Sequence, residues 1–201
     1  MARWAPLRTD TLSALAEEIL HNYGRGHVIV AVDAPGQADA TTFADDLADA
    51  IRAKSHAAFR ASLIDFSRPR AEREARGADS AEGAYRDAFD YPTLTRALIE
   101  PFRRGGSASF VTASFDVARD TPVENEGQTA PDDAILIVDG PFLNRAELAG
   151  FWNYSVWLDA AGERTAAEAL YAHEVAPRTK ATAIVDNSDP EHPRRSFADS
   201  C

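Results

Sequence analysis

The sequence predicts an α/β protein whose mainly parallel sheet is flanked by helices, and three observations carry that prediction. Two short runs, Val28 to Val32 and Ala134 to Val138, are continuously apolar and rich in β-branched residues, the pattern of strands buried on both faces of a parallel sheet. Segments with apolar residues at helical spacing alternate with further strand candidates, as linked strand and helix units require. The clearest such unit is HVIVAVDAPGQADATTFADDLAD, His27 to Asp49: a buried strand, a loop of small residues, then an amphipathic helix.

In chain order, Thr11 to Asn22 places Leu12, Leu15, Ile19 and Leu20 near helical spacing, with Asp10 as its cap. After the Val28 to Val32 strand, a helix from about Thr41 to Lys54 turns Phe43, Leu47, Ala50 and Ile51 to one side and Asp45, Asp46 and Asp49 to the other. Ala58 to Ile64 is the next strand, and residues 67–87 read as an exposed excursion. Ala88 to Phe102 is helical after a break at Pro92, Gly105 and Gly106 make a turn, and Ser109 to Phe115 reads as a strand with one open face. Polar, irregular chain over Val117 to Pro131 precedes the Ala134 to Val138 strand. A short helix (Asn144 to Phe151), a strand (Tyr154 to Leu158), a helix (Glu163 to Ala172), a strand (Thr182 to Val185) and a charged tail over 187–201 complete the reading.

With 201 residues and 45% hydrophobic content, the chain can bury one full core, so a single domain over 1–201 is expected. A net charge of -11, from 21 basic and 32 acidic side chains, repels polyanions and argues against nucleic acid or an anionic membrane surface as partner. No apolar run approaches the ~18 residues of a transmembrane helix. The amino-terminal stretch lacks the continuous apolar segment of a signal peptide. The single cysteine, Cys201, excludes an internal disulfide framework and points to a cytoplasmic location. The five histidines are scattered without a metal-binding spacing.

The loop after the first strand sits where a phosphate-binding P-loop sits. A P-loop needs GxxxxGK[ST], so that bare backbone amides, a lysine and a hydroxyl-bound magnesium ion surround the phosphates. The same register here holds Ala34, Asp39, Ala40 and Thr41, and only the hydroxyl survives. Asp39 is worse than neutral: a carboxylate ~4 Å from a phosphate charge costs about 4 kcal/mol at an effective dielectric near 20, against ~0.3 to 2 kcal/mol that a helix N-terminus offers an anion. The same aspartate is well placed to cap the following helix and take the amides a phosphate would use.

Five segments, VIVAVDAPGQADATTFADDLADAI, SLIDFSRPRAER, GAYRDAFDYPTL, AILIVDGPFL and AIVDNSDP, occur in that order from Val28 to Pro190. Together they resemble the uridine kinase family of P-loop kinases, related to pantothenate kinase and phosphoribulokinase. The resemblance implies a P-loop NTPase fold of the nucleoside kinase type, here with a degenerate Walker A motif and a reduced lid, in a phosphotransferase family. It marks Gly36, Thr41, Thr42 and Asp139 as the vestigial nucleotide site, with Thr41 and Asp139 as the positions that hold magnesium in active relatives. Ile64 occupies the position of the catalytic aspartate and leaves Asp65 as the weak candidate for a base. Asp90 resembles the carboxylate that binds ribose hydroxyls, with Tyr91 and Arg68 beside it as substrate contacts. Phe110, Phe115 and Asp116 fall where the family stacks aromatics on the base. The arginine-rich lid is missing between Leu158 and Ala183, and Arg68, Arg70, Arg73 and Arg76 form a separate basic cluster interleaved with Glu72 and Glu74.

Three functional readings follow. The first is a uridine kinase-like protein with a degraded nucleotide site, a pseudokinase with a ligand-binding, regulatory or scaffold role and no cofactor. The second is an ATP-dependent small-molecule kinase of the uridine type with a rearranged site, which would use Mg-ATP. The third is a structural subunit that packs through its exposed aromatics and takes no ligand. The partner implied by the first two is a nucleoside or another small molecule, and a homo-oligomer is compatible with all three.

Overall fold

The structure, a computed structural model, describes residues 6–36 and 38–197; Cys201 and the first five residues lie outside the described residues. Helix α1 (Arg8–Tyr23) leads into β1 (His27–Asp33) and α2 (Ala40–Arg52), and β2 (Ala57–Ser62) runs into a 3-10 turn at Leu63–Phe66. Short helices α3 (Arg70–Arg73) and α4 (Ala81–Arg86) lie in residues 67–87, which are not exposed throughout as expected because Tyr85 of α4 packs into the core, and α5 (Tyr91–Leu94), a π-turn (Thr95–Ile99) and α6 (Glu100–Arg104) follow. Strands β3 (Phe115–Asp116) and β4 (Thr121–Pro122) pair as a small ribbon. Then come β5 (Ala134–Gly140), β6 (Tyr154–Asp159), α7 (Ala166–Val175), α8 (Pro177–Lys180), β7 (Ala183–Asp186) and β8 (Arg194–Ser196).

The sheet order is β2-β5-β1-β6-β7-β8, parallel except for the antiparallel β8. Val28, Val30 and Val32 of β1 with Ile135 and Ile137 of β5 face α1 and α2, while Ile29 and Ala31 with Leu136 and Val138 face the opposite layer. Both faces are covered, which is why these strands read as unbroken apolar runs. Helix α2 inserts Phe43, Ala44, Leu47, Ala48 and Ile51 into the first layer, all fully buried, and each large side chain there contributes about 1.5 to 3 kcal/mol. Register sets the functional edge: Asp33 lies opposite Gly140, and Ser62 opposite Asp139, at the carboxyl ends of adjacent strands. Open α/β sheets bind their ligands at that edge.

Several expected boundaries differ. Helix α1 begins at Arg8, so Asp10 is not its cap but sits inside the first turn and accepts the Leu7 amide. Strand β2 stops at Ser62 because the chain coils into the 3-10 turn, where the Ser62 hydroxyl accepts the Ile64 amide. Gly140 permits this: a Cβ there would stand 2.7 Å from the Leu63 Cβ. Over 109–115 only the Phe110 bridge to Gln128 and the start of β3 form, so that stretch is not the expected strand. The predicted helix over 144–151 shrinks to a 3-10 turn at Ala146–Leu148. Pro101 explains the π-turn, since it lacks the N–H that would bond the Ala97 carbonyl, and the Val111 amide takes that carbonyl instead, at 3.0 Å.

Candidate functional site

The loop between β1 and α2 borders a cleft of about 450 Å³ that Ala34, Asp39, Thr41, Ile64, Asp139 and Pro141 help to line. Asp39 is the N-cap of α2, its carboxylate accepting the Thr42 amide at 3.0 Å. Its contacts with Thr42 hold the carboxyl below its usual range. The cap thus consumes a donor that an intact P-loop would present to phosphate. Gly36 gives up its amide as well, to the Glu168 carboxylate of α7 at 2.6 Å.

Below the cleft, Asp139 is almost wholly buried and is met by three side chains. Its Oδ2 accepts from the Thr41 hydroxyl at 2.9 Å and the Ser62 hydroxyl at 3.2 Å, and its Oδ1 accepts from Arg60 Nη2 at 2.6 Å. Arg60 is pinned in turn, donating from Nε to Asp45 at 2.8 Å and from Nη1 to the Ile137 carbonyl at 2.8 Å. The two positions that the resemblance marks for magnesium are therefore brought together, joined to each other and to a guanidinium. Among the described residues no group of three His, Cys, Asp or Glu side chains is arranged to hold a metal ion.

On the other face of β1, Asp33 is fully buried. Its Oδ2 accepts the Asn144 amide at 3.0 Å, the Asn144 side-chain N–H at 2.7 Å and the Tyr171 hydroxyl, while Oδ1 has no partner among the described residues. Burial pushes its pKa up to about 6, against the pull of these donors. Tyr171 is set among Tyr85, Phe142 and Trp157.

A second cavity, of about 400 Å³, has Arg68, Glu72, Asp90, Thr93, Ser114 and Phe115 in its wall. The structure thus brings Arg68 and Asp90 together. Asp90 caps α5 through the Thr93 amide at 3.0 Å and also accepts the Thr93 hydroxyl at 2.7 Å. Tyr91 turns away: its hydroxyl accepts from the buried Arg145 at 2.9 Å, and burial pushes its pKa up to about 12. Phe110 is a core residue packed edge-on against Phe59 and Phe102, whereas Phe115 reaches the cavity. Asp65 lies on the 3-10 turn and not on a strand, so strand alternation does not decide its direction. Burial first, then the charges of Asp139 and Asp116, raise its pKa. In the basic cluster, Arg73 and Arg76 pair with Asp120 and Asp87, and Arg68 lies 3.8 Å from Glu72.

Sequence reasoning missed Arg60, Asp33, Glu168 and Tyr171. Signals existed for two of them. Asp33 is a charge closing an apolar strand, and Thr165 to Glu168 has capping-box spacing, which the structure forms. A single arginine in AAFRAS and a tyrosine in a helix carry no such signal.

No protein-family model matches the sequence, and no curated relative does. Solved structures do match in fold. A possible uridine kinase from Bacillus stearothermophilus superposes with a TM-score of 0.78 at 22% identity, over 88% of this chain and 98% of that one. A protein assigned as a fructose transport system kinase from Silicibacter sp. TM1040 gives 0.61 at 21% identity, over 74% of each chain. A D-glycerate 3-kinase from Cryptococcus neoformans gives 0.51 at 9% identity, over 77% of this chain and 73% of that one. No helix among the described residues is long and apolar enough to cross a membrane.

Proposed function

We propose that this chain, which has the fold of the uridine kinase-like P-loop kinases, is a small-molecule-binding protein that does not carry out efficient ATP-dependent phosphoryl transfer. One observation carries the reading: the groups that would meet a nucleotide's phosphates and metal are already satisfied within the chain. Glu168 holds the Gly36 amide, Asp39 holds the Thr42 amide, and Arg60 is bound by Asp139, Asp45 and a backbone carbonyl. Phosphoryl transfer depends on positioning and on neutralising developing charge. Ala40 supplies no lysine, and the carboxylates Asp39 and Glu168 repel what remains. In this reading Arg60 is the resident cation of Asp139, and no magnesium-dependent step is assigned to the pair. In this reading the ligand occupies the second cavity, where each Asp90 oxygen accepts one bond from Thr93 and keeps acceptor capacity for a hydroxyl, and where Arg68, whose Nε is held by the Phe89 carbonyl, supplies a cation for a compound such as a nucleoside.

Asp65 favours a second reading, a slow small-molecule kinase. A half-buried carboxyl with a raised pKa beside two other carboxylates has the character of a general base. Calorimetric titrations with ATP, GTP and a nucleoside series, each with and without magnesium, separate the two. Nucleoside binding without nucleotide binding is the expected result. Saturable magnesium-ATP binding with phosphorylated product would overturn the first reading in favour of the second.

A further inference from the structure

The contact between α7 and the phosphate-position loop is built at two points. Glu168 is 8% exposed and bridges: one carboxylate oxygen accepts the Gly36 amide at 2.6 Å and the other accepts the Thr165 amide at 2.7 Å. Three residues on, hence on the same helix face, the Tyr171 hydroxyl donates to Asp33 at the strand end from which the loop leaves. The Tyr171 end of the helix is held by its aromatic neighbours and by the ion pair of Arg86 with Glu174. The other end differs, because residues 161–166, which lead into the first turn, are all exposed and include Gly162 at φ 127. The first turn is therefore held by the buried Ala167 and Glu168 and by the capping box of Thr165 with Glu168, with exposed chain in front of it.

Gly36 lies in the small-residue loop three positions before the Asp39 cap of α2, at the border of the cleft, and its loop amide is an anion donor that a side chain of the same protein already fills. We propose that the first turn of α7 is an autoinhibitory strap: Glu168 occupies the oxyanion position at the Gly36 amide, and an oxyanion ligand enters there only by displacing it. The inference rests on the reading of the loop as satisfied by its own side chains. It adds that the closure is competitive and reversible. Both occupants are anions, so Glu168 opposes an incoming oxyanion twice, by filling the donor and by repelling the charge.

The test follows the Gly36 amide by 15N–1H NMR during titration with inorganic phosphate. In the wild type the resonance moves only at the highest phosphate concentrations, as a competing occupant requires. In Glu168→Ala it moves saturably, with apparent affinity for phosphate at least ~10-fold higher. Glu168 also caps α7, so Thr165→Ala is the control that weakens the cap while leaving Glu168 in place, and it should behave as wild type. Tyr171→Phe frees the helix from Asp33 without touching Glu168 and should give an intermediate gain. An unchanged Gly36 response in folded Glu168→Ala, or an equal gain in Thr165→Ala, overturns the strap. Neither result touches the reading of the site, which fails instead on ATP turnover by the wild-type chain.

Discussion

Replacing Asp33 by Asn tests whether a buried charge at the head of the loop weakens this fold at neutral pH. The carboxyl is fully buried, and its pKa rises from an ordinary 3.8 to about 6. Its proton is held more tightly in the folded than in the unfolded chain. The stability it contributes is therefore complete below 3.8 and lost as the pH rises through about 6. At 1.36 kcal/mol for each tenfold change in proton affinity, that loss is about 3 kcal/mol at neutral pH. Asn keeps an acceptor for Asn144 and the Tyr171 hydroxyl but cannot ionise. Relative to wild type, Asp33→Asn should be near neutral at pH 4 and stabilising by about 3 kcal/mol at pH 7.5, or about 6 to 12 °C in Tm for a chain of this size. Urea unfolding of both proteins at half-unit steps from pH 4 to 8 measures the difference, in which titration common to both cancels. A wild-type-to-variant difference that stays constant across the range would refute the reasoning.

Three further outcomes are expected. Arg60→Ala leaves Asp139, whose side chain is only 2% exposed, as an unpaired buried charge and should cost about 3 to 5 kcal/mol in chemical denaturation. The double variant with Asp139→Asn should recover most of that loss. Asp39→Gly and Ala40→Lys together return two of the three missing motif residues, leaving Ala34, and should give detectable ATP binding by calorimetry without turnover, since Glu168 and Ile64 remain; turnover would show that those two positions alone had been limiting. Asp90→Asn should weaken nucleoside binding by about tenfold, roughly 1.5 kcal/mol, with little change in Tm because the amide oxygen can still cap α5. Equal weakening of unfolding stability and binding would reduce Asp90 to a structural cap.

The strand, loop and helix from His27 onward were legible because each signal is local. Unbroken Val and Ile runs mark strands covered on both faces, and Asp39 two residues before the Thr41-Thr42-Phe43 start marks a cap, which the structure forms at 3.0 Å. The end of β2 was not legible. Nothing in SLIDF separates a strand residue from a 3-10 turn until Gly140, from a strand more than 70 residues later, makes room for Leu63. Ser109 to Phe115 has strand composition, but a strand exists only where a partner edge is offered, and here little more than the Gln128 bridge meets it.

The sequence alone determined that this is a parallel α/β protein with a loop in the phosphate position and without the lysine and glycines that loop requires. Those are statements about residue type and spacing, and helical and strand periods write them directly into the chain. Only the tertiary structure decided what stands in the place of the missing groups. Arg60 meets Asp139 across 79 residues, and Glu168 meets Gly36 across 132. Pairs so distant are set by sheet register and by the docking of α7, and neither is encoded in the spacing around either partner.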